Sequence, residues 1–113
     1  MYNADMAKIE LSTKHRILLE ILLGQQRGSI SEIEVFYDVK NKIKVEDRDT
    51  YLRQLPTGDV VIDELFASTA PVLSFEFEKE ERKKLLELLS SHKGFTPSDL
   101  EWVLPFKKKL ELI

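Results

Sequence analysis

The chain has 113 residues, 42% of them hydrophobic and 33% charged, with a net charge of −3 and no cysteine. That length supports one domain around one core, and the apolar share excludes the disordered class. The missing cysteines exclude disulfides, thiolate nucleophiles and Cys-based metal centres together.

Residues 1–7 read as a flexible leader, and Ile9 to Leu11 as a short strand or a lead into the first helix. Ser12 or Thr13 caps that helix, which runs through His15 and Arg16 into the apolar stretch Ile17–Leu23. Only Glu20 interrupts that stretch. It is too apolar for a single stripe, so this helix is expected at the centre of the core or with a second face for a partner. Gly24 and Gly28 mark its end.

Residues 29–45 carry two signals. Ser29 and Glu32 have capping-box spacing, with Phe36, Tyr37 and Lys40 following at helical intervals. Ile33, Val35, Tyr37 and Val39 also alternate like a strand. The capping box decides for a helix over about residues 30–44. Glu46 to Leu52 suits a short helical turn, and Pro56-Thr57-Gly58-Asp59 is a turn. Val60-Val61-Ile62 and the segment from Pro71 to Phe77 read as strands, able to pair with each other antiparallel across a long connection.

Glu78, Glu80 and Glu81 open the next helix, whose apolar face is Leu85, Leu86, Leu88 and Leu89. Gly94 is placed as its left-handed stop. Thr96 with Pro97 starts a last helix with Leu100, Val103 and Leu104 on its apolar side, to be ended or kinked by Pro105. The whole describes an α+β fold: residues 1–113 as a single compact domain, three to four helices and a small antiparallel β element, a hairpin.

Chemistry is sparse. His15 and His92 stand far apart, and neither has a second histidine one turn away. Asp47 and Asp49 lack the glycine and distal glutamate of a calcium loop. No nucleophile elbow, phosphate loop or dinucleotide fingerprint occurs. Neither a cofactor nor a metal site is inferred, and the chain is read as a non-enzyme. An enzyme with an unusual site is one alternative and needs a pocket of converging polar groups, for which Glu76, Glu78 and His92 are the candidates. A winged-helix DNA-binding regulator is the other alternative. Its recognition helix would be residues 30–44, with Lys40, Lys42 and Lys44 at the end but Glu32, Glu34 and Asp38 where bases are normally approached.

Residues 30–81 hold thirteen acidic against six basic residues. Such a middle repels phosphates, so nucleic acid is a poor partner, while a basic protein surface is a suitable one. Large aromatics are favoured at interface centres. The candidate partner-binding residues are therefore Phe36, Tyr37, Trp102 and Phe106, with the acidic Glu32, Glu34 and Asp38. A protein partner or a homo-oligomer is expected, and no small-molecule substrate or membrane. The opening MYNADMAKIEL is not a signal peptide, and a cytoplasmic location is expected.

The organisation resembles small uncharacterised proteins encoded by bacteriophages and prophages. The residues concerned are Ile9-Glu10-Leu11-Ser12 leading into His15-Arg16-Ile17-Leu18-Leu19, the capped segment from Ser29, Phe75-Glu76-Phe77 before an acidic helix start, and Phe95-Thr96-Pro97-Ser98-Asp99-Leu100. That resemblance implies a bacterial cytoplasm and a non-enzymatic accessory role, binding a host or phage protein. It carries over no functional residues.

Overall fold

The computed structural model describes residues 6–112. Most of the expected leader lies outside the described residues, but Met6 and Ala7 belong to the first strand. In chain order the elements are β1 (Met6–Leu11), α1 (Thr13–Gly24), α2 (Ile30–Ile43), a 3-10 turn (Arg48–Tyr51), β2 (Leu52–Gln54), β3 (Val60–Ile62), α3 (Glu64–Ala67), β4 (Leu73–Glu78), α4 (Lys79–Ser91), a second 3-10 turn (Pro97–Asp99) and α5 (Leu100–Glu111). The fold is a single α+β domain with two antiparallel two-stranded sheets.

Strand pairing differs from the sequence expectation. Val60–Ile62 does not pair with the segment before Phe77. It pairs with β2 in a local hairpin, while β4 pairs with β1 from the other end of the chain. The reason lies in the alternating faces. Ala7, Ile9 and Leu11 sit opposite Phe77, Phe75 and Leu73, so most of the apolar side chains of both strands meet on one face. The other face carries the exposed Lys8–Glu76 ion pair at 3.9 Å.

Four helices cover the apolar face of the β1–β4 sheet. Ile9, Leu19, Leu22, Val39, Ile43, Phe77, Leu85, Val103 and Phe106 join in one cluster. The helix reading of residues 30–44 holds, with Ser29 as N-cap; the Glu32 carboxylate takes the Ser29 hydroxyl and not the Ser29 N–H that a full capping box requires. Ser29 accepts the Glu32 N–H, and the buried side of the helix is Val39 and Ile43. The strand-like alternation there reflects β-branched content without strand structure.

Polar ties lock the layers. Arg16 donates to the carbonyls of Ile43 (2.8 Å) and Lys44 (2.6 Å), occupying orphan acceptors at the end of α2. Lys42 meets the buried Glu81 carboxylate at 2.5 Å and the Glu76 carbonyl at 2.8 Å. The same Glu81 oxygen accepts the Glu78 N–H, closing the capping box of α4.

One helix-end expectation fails and another is narrowed. Gly94 is not left-handed, and among the described residues only Gly58 has positive φ, at 94° in the β2–β3 turn. Gly94 is small for another reason: a Cβ there would stand 2.6 Å from the His92 ring, which packs edge-on against Phe95. Pro105 lies inside α5 and does not end it. It sits on the exposed side, and burial of Trp102, Val103, Phe106 and Leu110 offsets the ~3 kcal/mol an interior proline costs. The buried face of α5 is that quartet, since Leu100 and Leu104 are exposed.

Candidate functional site

Residues 46–70 form an arm against one side of α1. The arm consists of the first 3-10 turn, the β2–β3 hairpin and α3. Strands of three residues are marginal by themselves, so the arm is tied down at its ends. Tyr51 stacks on Phe66 with ring centroids 5.3 Å apart, Ala67 is buried, and the Lys14 ammonium bonds the Glu64 carboxylate. That ammonium holds the Glu64 carboxyl below its ordinary range, first by the hydrogen bond and then by its charge.

Between these ties the hairpin stands off the helix and leaves an open groove of about 1050 Å³. Ile17, Leu18 and Ile21 of α1 form one wall, and Val60, Val61 and Ile62 of β3 form the other. The volume is at the upper end of ligand-binding clefts, and an apolar lining with a few polar groups is their usual composition. Ile21, Val60 and Leu65 extend the apolar surface to the rim, and Leu65 is 82% exposed. Lys14, Arg48 and Arg53 bring positive charge to the same groove, with Asp63 and Glu64 opposing them.

Leu18 and Ile21 also line a smaller neighbouring cavity of about 200 Å³ with His92, Phe95 and Trp102. The buried Trp102 Nε1 has no hydrogen-bond acceptor among the described residues. Buried Glu20 lies on a third depression of about 300 Å³, with one oxygen 3.5 Å from Arg48 and the other without a donor among the described residues.

The aromatic residues singled out from the sequence do not form one exposed patch. Trp102 and Phe106 are core residues of α5 and are not open to a partner. Their spacing is that of a helix's buried face, and burial is the default for such a face. Phe36 packs against the core, while Tyr37 is 62% exposed. Glu32, Glu34 and Asp38 share the exposed side of α2 with Tyr37. Lys42 is engaged with Glu81 and packs over Phe77, so the lysines at the end of α2 do not act as a free basic cluster.

The trio Glu76, Glu78 and His92 does not form a site. Glu76 pairs with Lys8, and Glu78 caps the start of α4. His92 follows the far end of this thirteen-residue helix, about 20 Å away. Among the described residues no three or more ligand-type side chains gather as a metal site would require. None of the described helices is long and apolar enough to cross a membrane.

The groove residues beyond α1 escaped the sequence reading. Its one signal was the unusually apolar run Ile17–Leu23. That run buries Ile17, Leu19, Leu22 and Leu23 in the core while directing Leu18 and Ile21 toward the two cavities. Comparison with known proteins found no matching family model, no matching curated protein and no matching solved structure.

Proposed function

We propose that this chain is a non-enzymatic binding module whose groove between α1 and the β2–β3 arm takes a segment of a partner protein. The observation that carries this reading is an apolar groove that the chain leaves unfilled although it runs along its own most apolar helix. Exposed apolar side chains scattered singly need no explanation. A run that continues from floor to rim of one groove marks an interaction site. A partner's apolar side chains would bury Ile21, Val60 and Leu65 and gain roughly 25 cal/mol for each Å² removed from water. An accessory role in a phage or prophage setting fits such a module, since it needs a partner and no chemistry of its own.

The test is a selection of random twelve-residue displayed peptides on the full chain, repeated on Ile21→Glu. Ile21 is on the exposed side of α1, so the substitution leaves the core intact. Enriched peptides that bind the native chain and fail to bind Ile21→Glu are expected. No enrichment, or binding that Ile21→Glu does not disturb, overturns the assignment to this groove.

A further inference from the structure

The hydrogen bonds of the β2–β3 hairpin show which backbone groups of β3 are free. Asp63 N–H donates to the Tyr51 carbonyl at 2.8 Å, and Leu55 N–H to the Asp59 carbonyl at 2.8 Å. In an antiparallel ribbon every second cross-strand pair is hydrogen-bonded. With Arg53 opposite Val61, the bonded pairs are 51 with 63, 53 with 61 and 55 with 59. Val60 and Ile62 therefore turn their N–H and C=O groups away from β2. No protein group among the described residues bonds them.

That free edge lies in the groove. Successive residues of a strand point to opposite faces, yet Val60, Val61 and Ile62 all line the groove, which continues along Asp63, Glu64 and Leu65. Leu52 and Arg53 of β2 line it as well, so the groove spans the hairpin and reaches round to the free edge of β3. Across it stands the apolar side of α1. A strand edge facing a helix across an apolar cleft suits an added strand: main-chain hydrogen bonds hold the backbone, and alternate side chains enter the cleft.

We infer that the groove binds an extended segment of a partner protein, which adds as a third strand to the β3 edge. The inference rests on the groove being the binding site. A helical ligand has no spare backbone donors and acceptors for Val60 and Ile62. Charge sets the second requirement. Lys14 is tied to Glu64, and Arg48 stands 3.5 Å from Glu20. Asp63 accepts the Phe66 N–H at 3.1 Å, whereas Arg53 has no ionic partner among the described residues. A planar guanidinium is matched best by a carboxylate, so the segment carries an Asp or Glu among alternating apolar residues. The carboxylates that flank the same strand in a second copy are already engaged, Asp59 by the Thr57 hydroxyl and Asp63 by the Phe66 N–H.

The experiment uses peptides selected on the full chain, synthesised plain and with alternate backbone amides N-methylated. Enriched sequences are expected to alternate apolar residues with others that include a carboxylate. N-methylation in one register is expected to weaken binding about tenfold, as loss of one or two hydrogen bonds would. Val60→Pro, which removes an outward N–H without touching the hairpin's own bonds, should act similarly. Arg53→Gln should cost several-fold, and Ile21→Glu should abolish binding. The methylated peptides leave the protein unaltered, so they decide the matter if Val60→Pro misfolds. Peptides that need Ile21 but tolerate both N-methylation registers and Val60→Pro overturn strand addition and leave the groove reading standing. Peptides indifferent to Ile21→Glu, or none, overturn both. A solution dimer that Val60→Pro dissolves, with no peptide captured, makes the occupant a second copy and overturns the acidic segment.

Discussion

The body and the arm solve the burial problem differently. In the body, the apolar side chains of β1, α1, α2, β4, α4 and α5 interlock so closely that Ile17, Leu19, Val39, Ile43, Phe77 and Leu85 are wholly buried. In the arm, residues 46–70 bury only Ala67, while Val60, Leu65 and Phe66 stay open. The body is held by volume and by ties such as Arg16 to the end of α2. The arm is held by a few contacts at its ends, with a groove beneath it. Stability therefore resides in one region and exposed binding surface in the other. A chain of this size has one core to share between them.

Substitutions should separate the two regions. The largest effect is expected from Phe77→Ala, which empties the centre of the body and should cost about 3–5 kcal/mol in denaturant unfolding. A loss under about 1 kcal/mol would mean that the body is not close-packed there. Next is Lys42→Met, which leaves the Glu81 carboxylate buried without its ammonium partner. Lys42 is partly exposed, which moderates the loss to about 1–3 kcal/mol. Adding Glu81→Gln should recover most of it, because the penalty comes from the orphaned charge and the amide oxygen can still accept the Glu78 N–H.

A smaller effect concerns pH. Burial beside Trp102, reinforced by the charges of Lys14 and Lys109, lowers the His15 pKa from 6.5. The unfolded chain then takes up this proton first as pH falls. Stability from His15 is complete above pH 6.5 and declines below it, toward the lowered value. Melting temperatures across that range should show the decline, and His15→Gln should flatten it. The smallest effect is in the arm. Leu65→Ser should change stability by less than about 0.5 kcal/mol while weakening capture of the selected peptides. A large loss of stability would place Leu65 in the fold and remove the contrast between the regions.

Much of the body was legible because its signals are local. Ser12 and Ser29 cap α1 and α2 where a side-chain oxygen three residues ahead of an amide predicts it. Glu78 to Glu81 mark the start of α4 for the same reason. The β1–β4 pairing was not legible. It joins residues some seventy positions apart, and only the packed helices decide which strand presents a matching apolar face. Nor could spacing tell that Trp102 and Phe106 face inward: an aromatic on a helix stripe suits a core and an interface equally until the neighbouring element is in place.

The amino-acid sequence by itself determined the four long helices, the N-terminal caps of α1 and α2, the turn at Gly58 and the absence of thiol chemistry, because each follows from bonds within a few residues or from composition. The tertiary structure alone decided where the excess apolar surface of α1 goes. Leu18 and Ile21 resemble their buried neighbours in sequence. They line a groove only because the three-residue strands of the arm are too short to close over them, leaving the outward backbone groups of Val60 and Ile62 beside them.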